Sequence, residues 1–174
     1  DVTNLSQLTS ASSPDENLDG YWSFNAPDID GSSAYDMSGV NNTGTLTNGP
    51  TVTQGKVGQA LDFDGTDDYV TITDVNDKLD MPDGQDFTLM IWFNRDTFTT
   101  EDSLLGKRAA TAAASAGYLT YIDDATDKVT FEVSDGTDEY QLESTDTFTS
   151  AGWHHMAVVF DDDNATNCEI YING

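Results

Sequence analysis

The residues with most chemical potential in this chain are its carboxylates: 26 Asp and 6 Glu stand against six Lys and Arg, for a formal charge of −26. Carboxylates can flank a scissile glycosidic bond, offer oxygen to a hard cation, or simply keep a surface solvated. The first use needs two groups held rigidly opposed. Glu132 and Asp135 are the nearest such pair on a strand, but Asp135-Gly136 reads as a turn and breaks the alignment. His154 and His155 adjoin in a strand pattern, so they point to opposite faces and cannot share a proton or a metal. No Ser/His/Asp order, phosphate loop, dinucleotide glycine pattern or zinc-spaced Cys/His set occurs. Enzymatic activity is not expected.

The second use has better support. Asp36 to Gly44 brings together the Asp36 carboxylate, the amide oxygens of Asn41 and Asn42 and a glycine-rich backbone whose carbonyls can turn inward, the ligand types that Ca²⁺ accepts. Asp28 and Asp30 lie close by in sequence and can add ligands. The same residues also suit an Asx-turn network that needs no metal. Both readings stand on the sequence alone. Asp161-Asp162-Asp163-Asn164 has the composition of a solvated hairpin tip.

These groups must be positioned by strands and turns. Asp favours turns and caps where Glu favours helix interiors, so the excess of Asp predicts many turns and few helices. With 174 residues, 37% of them apolar and 18 aromatic, the chain has room for one β-sandwich with a core. Strand signals occur at Tyr21 to Phe24, Gly44 to Leu46, Ala60 to Phe63, Asp68 to Ile72, Phe87 to Phe93, Ser103 to Leu105 and Gly117 to Ile122. They continue at Lys128 to Val133, Glu139 to Leu142, Trp153 to Phe160 and Glu169 to Ile172. Turn signals at Asn48-Gly49-Pro50, Asp64-Gly65, Asp83-Gly84 and Asp135-Gly136 separate them and predict antiparallel pairing.

Residues 1–17 read as a flexible arm, and Arg108 to Ala116 as either the lone helical stretch or a loop. Trp22 and Phe24 share an apolar face and are expected in the core, as is Cys168, the single cysteine. Phe87, Leu89, Ile91 and Phe93 alternate with Thr88, Met90 and Trp92. Trp92 can therefore cover a second apolar face or line a ligand surface, and the core is the favoured place for it. The acidity makes nucleic acid an improbable partner, and no run is long enough for a signal peptide or a membrane helix. The start at Asp1 suggests a mature or excised segment of an exported protein.

Several blocks in order carry a family resemblance: Leu18-Asp19-Gly20-Tyr21-Trp22-Ser23-Phe24, Asp36 to Leu46, Gly55 to Val70, Phe87 to Phe93, Gly152 to Phe160, and Ile170-Tyr171-Ile172-Asn173-Gly174. This series resembles the laminin-G-like, concanavalin A-like lectin/glucanase domains over Leu18 to Gly174. The resemblance implies an all-β, two-sheet antiparallel jelly roll. It implies further that the Asp36 to Gly44 loop holds structural calcium, and that Glu101-Asp102 matches the acidic loop that binds calcium in the pentraxin branch. It also implies closing strands after the Tyr-x-Asn-Gly turn, which a longer chain or a neighbouring subunit would supply. The glucanases of this fold carry a Glu-x-Asp-x-x-Glu strand, and no such pattern occurs here.

Together these features lead to the expectation of a non-catalytic, extracellular or surface-exposed binding or adhesion module with a glycan or cell-surface partner and calcium as its ion. A structural subunit of a filament or virion, packed against neighbouring subunits, is the alternative. A glycan hydrolase or lyase of the same fold comes third.

Overall fold

A computed structural model describes residues 18–80, 85–108, 115–163 and 167–174. The expected arm, the Asp83-Gly84 turn and most of the 108–116 stretch lie outside the described residues. The chain divides into two compact units, Asp1–Leu79 and Asp80–Gly174.

In the first unit, β1 (Ile29–Asp30), β2 (Ser33–Ala34), β3 (Gly44–Thr47) and β6 (Tyr69–Ile72) form an antiparallel sheet in the order β1-β2-β3-β6. A separate hairpin pairs β4 (Thr51–Gln54) with β5 (Gln59–Asp62). Thr is the commonest residue in these strands, and the turn at Asn48-Gly49 uses positive φ at both residues, which glycine and asparagine tolerate. Tyr21 to Phe24 is not a strand. Phe24 has φ 54°, which bends the backbone out of any ladder, and one backbone–backbone bond, Met37 N–H to Tyr21 O at 2.7 Å, joins side-chain bonds in tying the run down. Trp22 and Phe24 are half-buried instead of central.

The second unit holds two sheets. β8 (Asp102–Gly106), β9 (Gly117–Ile122), β10 (Val129–Ser134) and β11 (Glu139–Glu143) run antiparallel in chain order. β7 (Phe87–Asn94), β12 (Trp153–Phe160) and β13 (Glu169–Ile172) form the other, with β12 central. Alternation drives the packing, because every second residue faces the opposite sheet. Phe93, Met156, Val158 and Phe160 from the three-stranded sheet meet Tyr118, Ile122, Val129 and Phe131 from the four-stranded one. Phe148, on the link between β11 and β12, and Cys168, just ahead of β13, complete the core. Each large side chain so buried contributes about 1.5–3 kcal/mol. The result is an all-β sandwich of antiparallel sheets, as the strand pattern predicts.

One charged residue belongs to this core. Arg95, just after β7, is 6% exposed, and its guanidinium donates to Asp102 (2.6 Å), Asp127 (2.9 Å), Phe148 O (3.3 Å) and Thr100 O (3.0 Å) while lying over the Phe98 ring. A planar fork with several donors suits this task, and it ties together connections that are distant in sequence.

Candidate functional site

The second face of the three-stranded sheet is built from the residues that alternate with the core set. On β7 these are Thr88, Met90, Trp92 and Asn94. Register sets Trp92 opposite His155, and Met90 opposite Ala157, which in turn faces Tyr171 on β13. Directly paired residues share a face, so Met90, Trp92, His155, Ala157 and Tyr171 form one surface. It is open: Met90 is 62%, Tyr171 45% and Trp92 41% exposed. Trp92 is therefore not in the core as expected, but stands on an exposed sheet face. The two-faced strand pattern is real, but its second face remains accessible.

Within this surface the Trp92 and His155 rings lie 5.0 Å apart and tilted, which steadies the indole. Ala157, on the central strand, lies between Tyr171 and Met90 in register. The Tyr171 hydroxyl donates to Glu169, and this bond together with the Glu169 charge holds its phenol above the ordinary tyrosine value. Glu169 is the only carboxylate on β7, β12 and β13, which carry no Lys or Arg. His154, by contrast, faces inward and packs on Phe93 and Phe148. The two adjacent histidines thus sit on opposite faces, as alternation requires.

The six residues singled out as calcium ligands fall into three places. In the first unit, Asp36 is buried and Oδ1 accepts the N–H groups of Tyr21 (2.9 Å) and Ser38 (2.8 Å). Its Oδ2 accepts the Ser38 hydroxyl (2.8 Å) and the Asn42 N–H (2.9 Å). Burial pushes this carboxyl up, but the donors of Ser38, Tyr21 and Asn42 outweigh it and hold it below the usual carboxylate range. Asn42 is fully buried; its amide donates to Asp19 O (2.8 Å), its amide oxygen accepts Val75 N–H (2.7 Å), and its carbonyl accepts the Trp22 indole (2.9 Å). A carboxylate has about four lone-pair positions, and all four of Asp36 are taken. The four donors are N–H and O–H groups, and the loop forms an Asx-turn network as folded.

Asn41 is exposed at φ 70° and reaches only Gly39 O, at 3.4 Å. Asp28 ends a short 3-10 turn, Ala26–Asp28, with its carboxylate taking the Ser23 hydroxyl. In the second unit Asp102 is committed to Arg95. Glu101 is raised above its ordinary value by desolvation and by the charges of Asp123, Asp124 and Glu132. The two neighbours therefore serve different surroundings. Glu132 itself accepts the Tyr121 hydroxyl (2.7 Å), Gln141 (3.3 Å) and Arg108 (3.2 Å), while Arg108 also pairs with Glu139 (2.7 Å). Asp135 accepts the Thr137 and Asp138 N–H groups within its own turn, as a turn residue should.

Sequence reasoning missed two features. Arg95 carries a signal, a lone cation after a core strand in a strongly acidic chain, but its partners span 53 positions and no local pattern predicts them. The aromatic face was legible as an option and not as an outcome.

A two-sheet antiparallel sandwich with one sheet face left open is an architecture shared by many binding domains. Residues 64–174 match the family model described as the concanavalin A-like lectin/glucanases superfamily, and the chain belongs to that family. Among solved structures it is similar to an S-layer domain-containing protein (residues 221–444) from Clostridium thermocellum ATCC 27405. That likeness has a TM-score of 0.56 and 21% identity, and it covers 88% of this chain and 68% of that one. The search of curated proteins finds no match. Among the described residues, no helix is long and apolar enough to cross a membrane.

Proposed function

We propose that this chain is a non-catalytic binding module displayed at a surface, and that it takes a carbohydrate on the open face of β7, β12 and β13. One observation carries the proposal: Met90, Trp92 and Tyr171 stand exposed on a single ordered sheet face. Isolated exposed apolar residues need no explanation, whereas a contiguous group marks an interaction surface. Sugar rings present apolar C–H faces with hydroxyl edges, which suit aromatic planes bordered by Thr88 and Asn94. The commitment of Glu132 to Tyr121, Gln141 and Arg108 supports the non-catalytic part. The surface part draws support from the S-layer name of the structural neighbour and from the acidic composition.

A glycan array probed with the chain and with its Trp92→Ala variant tests the proposal. Binding that Trp92→Ala abolishes is the expected outcome; an array blank for the parent chain contradicts it. The second reading, a structural subunit of an assembly, is favoured by the same exposed face if a neighbouring subunit covers it. Sedimentation velocity then shows self-association that Met90→Glu reverses.

A further inference from the structure

We infer that the sugar this face accepts is cationic: a polymer of amino sugars carrying free ammonium groups. The inference rests on the carbohydrate reading of the β7–β12–β13 face and specifies its ligand by charge. In the second unit the basic residues are Arg95, Lys107, Arg108 and Lys128. Each is engaged in an ion pair: Arg95 with Asp102 and Asp127, Lys107 with Asp80, Arg108 with Glu132 and Glu139, and Lys128 with Glu143. None lies on β7, β12 or β13, so these strands offer no Lys or Arg to a carboxylated or sulfated glycan.

Their one charged residue is Glu169, exposed beside Tyr171. Around it stands a chain with a formal charge of −26, whose field concentrates cations and repels anions. An ammonium group also gains from contact with an indole, and Trp92 is partly exposed on this face. Spacing supports a polymer over a single ring. Trp92 and Tyr171 are two strands and two residues apart in register, which places them about 11 Å from each other and suits separate rings of an extended sugar chain.

Isothermal titration of the chain with three oligosaccharides of equal length tests this. They are fully deacetylated glucosamine oligomers, their N-acetylated counterparts and oligogalacturonate, each at low and high salt. The expected result is that the glucosamine oligomer binds about tenfold or more tightly than the N-acetylated one at low salt, with the gap closing at high salt. Oligogalacturonate is weakest. Trp92→Ala and Tyr171→Ala lower binding of both neutral and cationic oligomers, while Glu169→Gln narrows the gap between them.

Glucosamine binding that survives both aromatic variants is diffuse attraction to an acidic protein and overturns the inference. So does equal or better binding of the neutral or the anionic oligomer, although neutral binding lost in Trp92→Ala leaves the carbohydrate reading intact. Failure of all three ligands, or self-association through this face, removes that reading and the inference with it.

Discussion

Replacing Asp36 by Asn tests how the 36–44 loop is held. Asp36 gathers four donors on two oxygens within a buried pocket of the first unit. Asparagine keeps one oxygen, which can still serve Tyr21 and Ser38 N–H. Its amide nitrogen then confronts the Ser38 hydroxyl, which can rotate and accept, and the Asn42 N–H, which cannot. One buried N–H is orphaned and the remaining bonds lose their charge assistance, a cost of roughly 2–4 kcal/mol. For a chain of this size that corresponds to a fall in Tm of roughly 5–15 °C. Differential scanning calorimetry of Asp36→Asn against the parent measures it, with EDTA and added Ca²⁺ as parallel arms. A self-sufficient network gives the destabilisation and no response to either additive. A shift under about 2 °C for Asp36→Asn, or a Tm that EDTA lowers and Ca²⁺ restores, refutes the reasoning.

The same carboxylate sets an acid limit. Its folded pKa lies below its unfolded value, so its contribution is fully present above the ordinary carboxylate range and is lost as pH falls through the folded value. Denaturation curves from neutral to strongly acidic pH check this, and Asp36→Asn flattens that part of the dependence. On the alkaline side, burial first and then the bond to Glu132 hold the Tyr121 phenol well above its ordinary value. Below the unfolded tyrosine pKa both states are neutral; above it only the unfolded state ionises, so stability falls as pH rises past about 10. Tyr121→Phe reduces this slope in urea melts. Arg95→Ala costs roughly 2–4 kcal/mol, below the full cost of breaking a buried pair because Asp102 and Asp127 are partly solvated. Arg95→Lys recovers little of it, since a single ammonium cannot reproduce the fork.

Much of the second unit was legible. Strands with clean alternation, such as Phe87–Asn94 and Trp153–Phe160, declare both their existence and their inner face, and Cys168 fell in the core as its strand neighbours implied. β4, Thr51–Gln54, escaped notice because all four of its residues are exposed and leave no apolar alternation. Tyr21 to Phe24 showed the opposite failure, since its aromatic pattern is strand-like but the positive φ at Phe24 has no local signature. For the loop at Asp36, residue types could not separate a metal site from a turn network. The donors that Asp36 accepts come from Tyr21 and from Ser38 and Asn42, and only folding brings Tyr21 within reach. The same holds for Trp92, because period two assigns it a face but not what lies over that face.

Whether a sugar lands on the Trp92 face decides the proposed function. Two-dimensional ¹⁵N and ¹³C-methyl NMR of the labelled chain, titrated with the best glycan from the array, reads this directly. The three indole N–H signals of Trp22, Trp92 and Trp153 and the methionine methyls report separate places in the fold. The predicted result is a saturable shift of the Trp92 indole and the Met90 methyl, with Trp22 unmoved. Saturable shifts confined to Trp22 and the 36–44 loop, or none at Trp92, would contradict it.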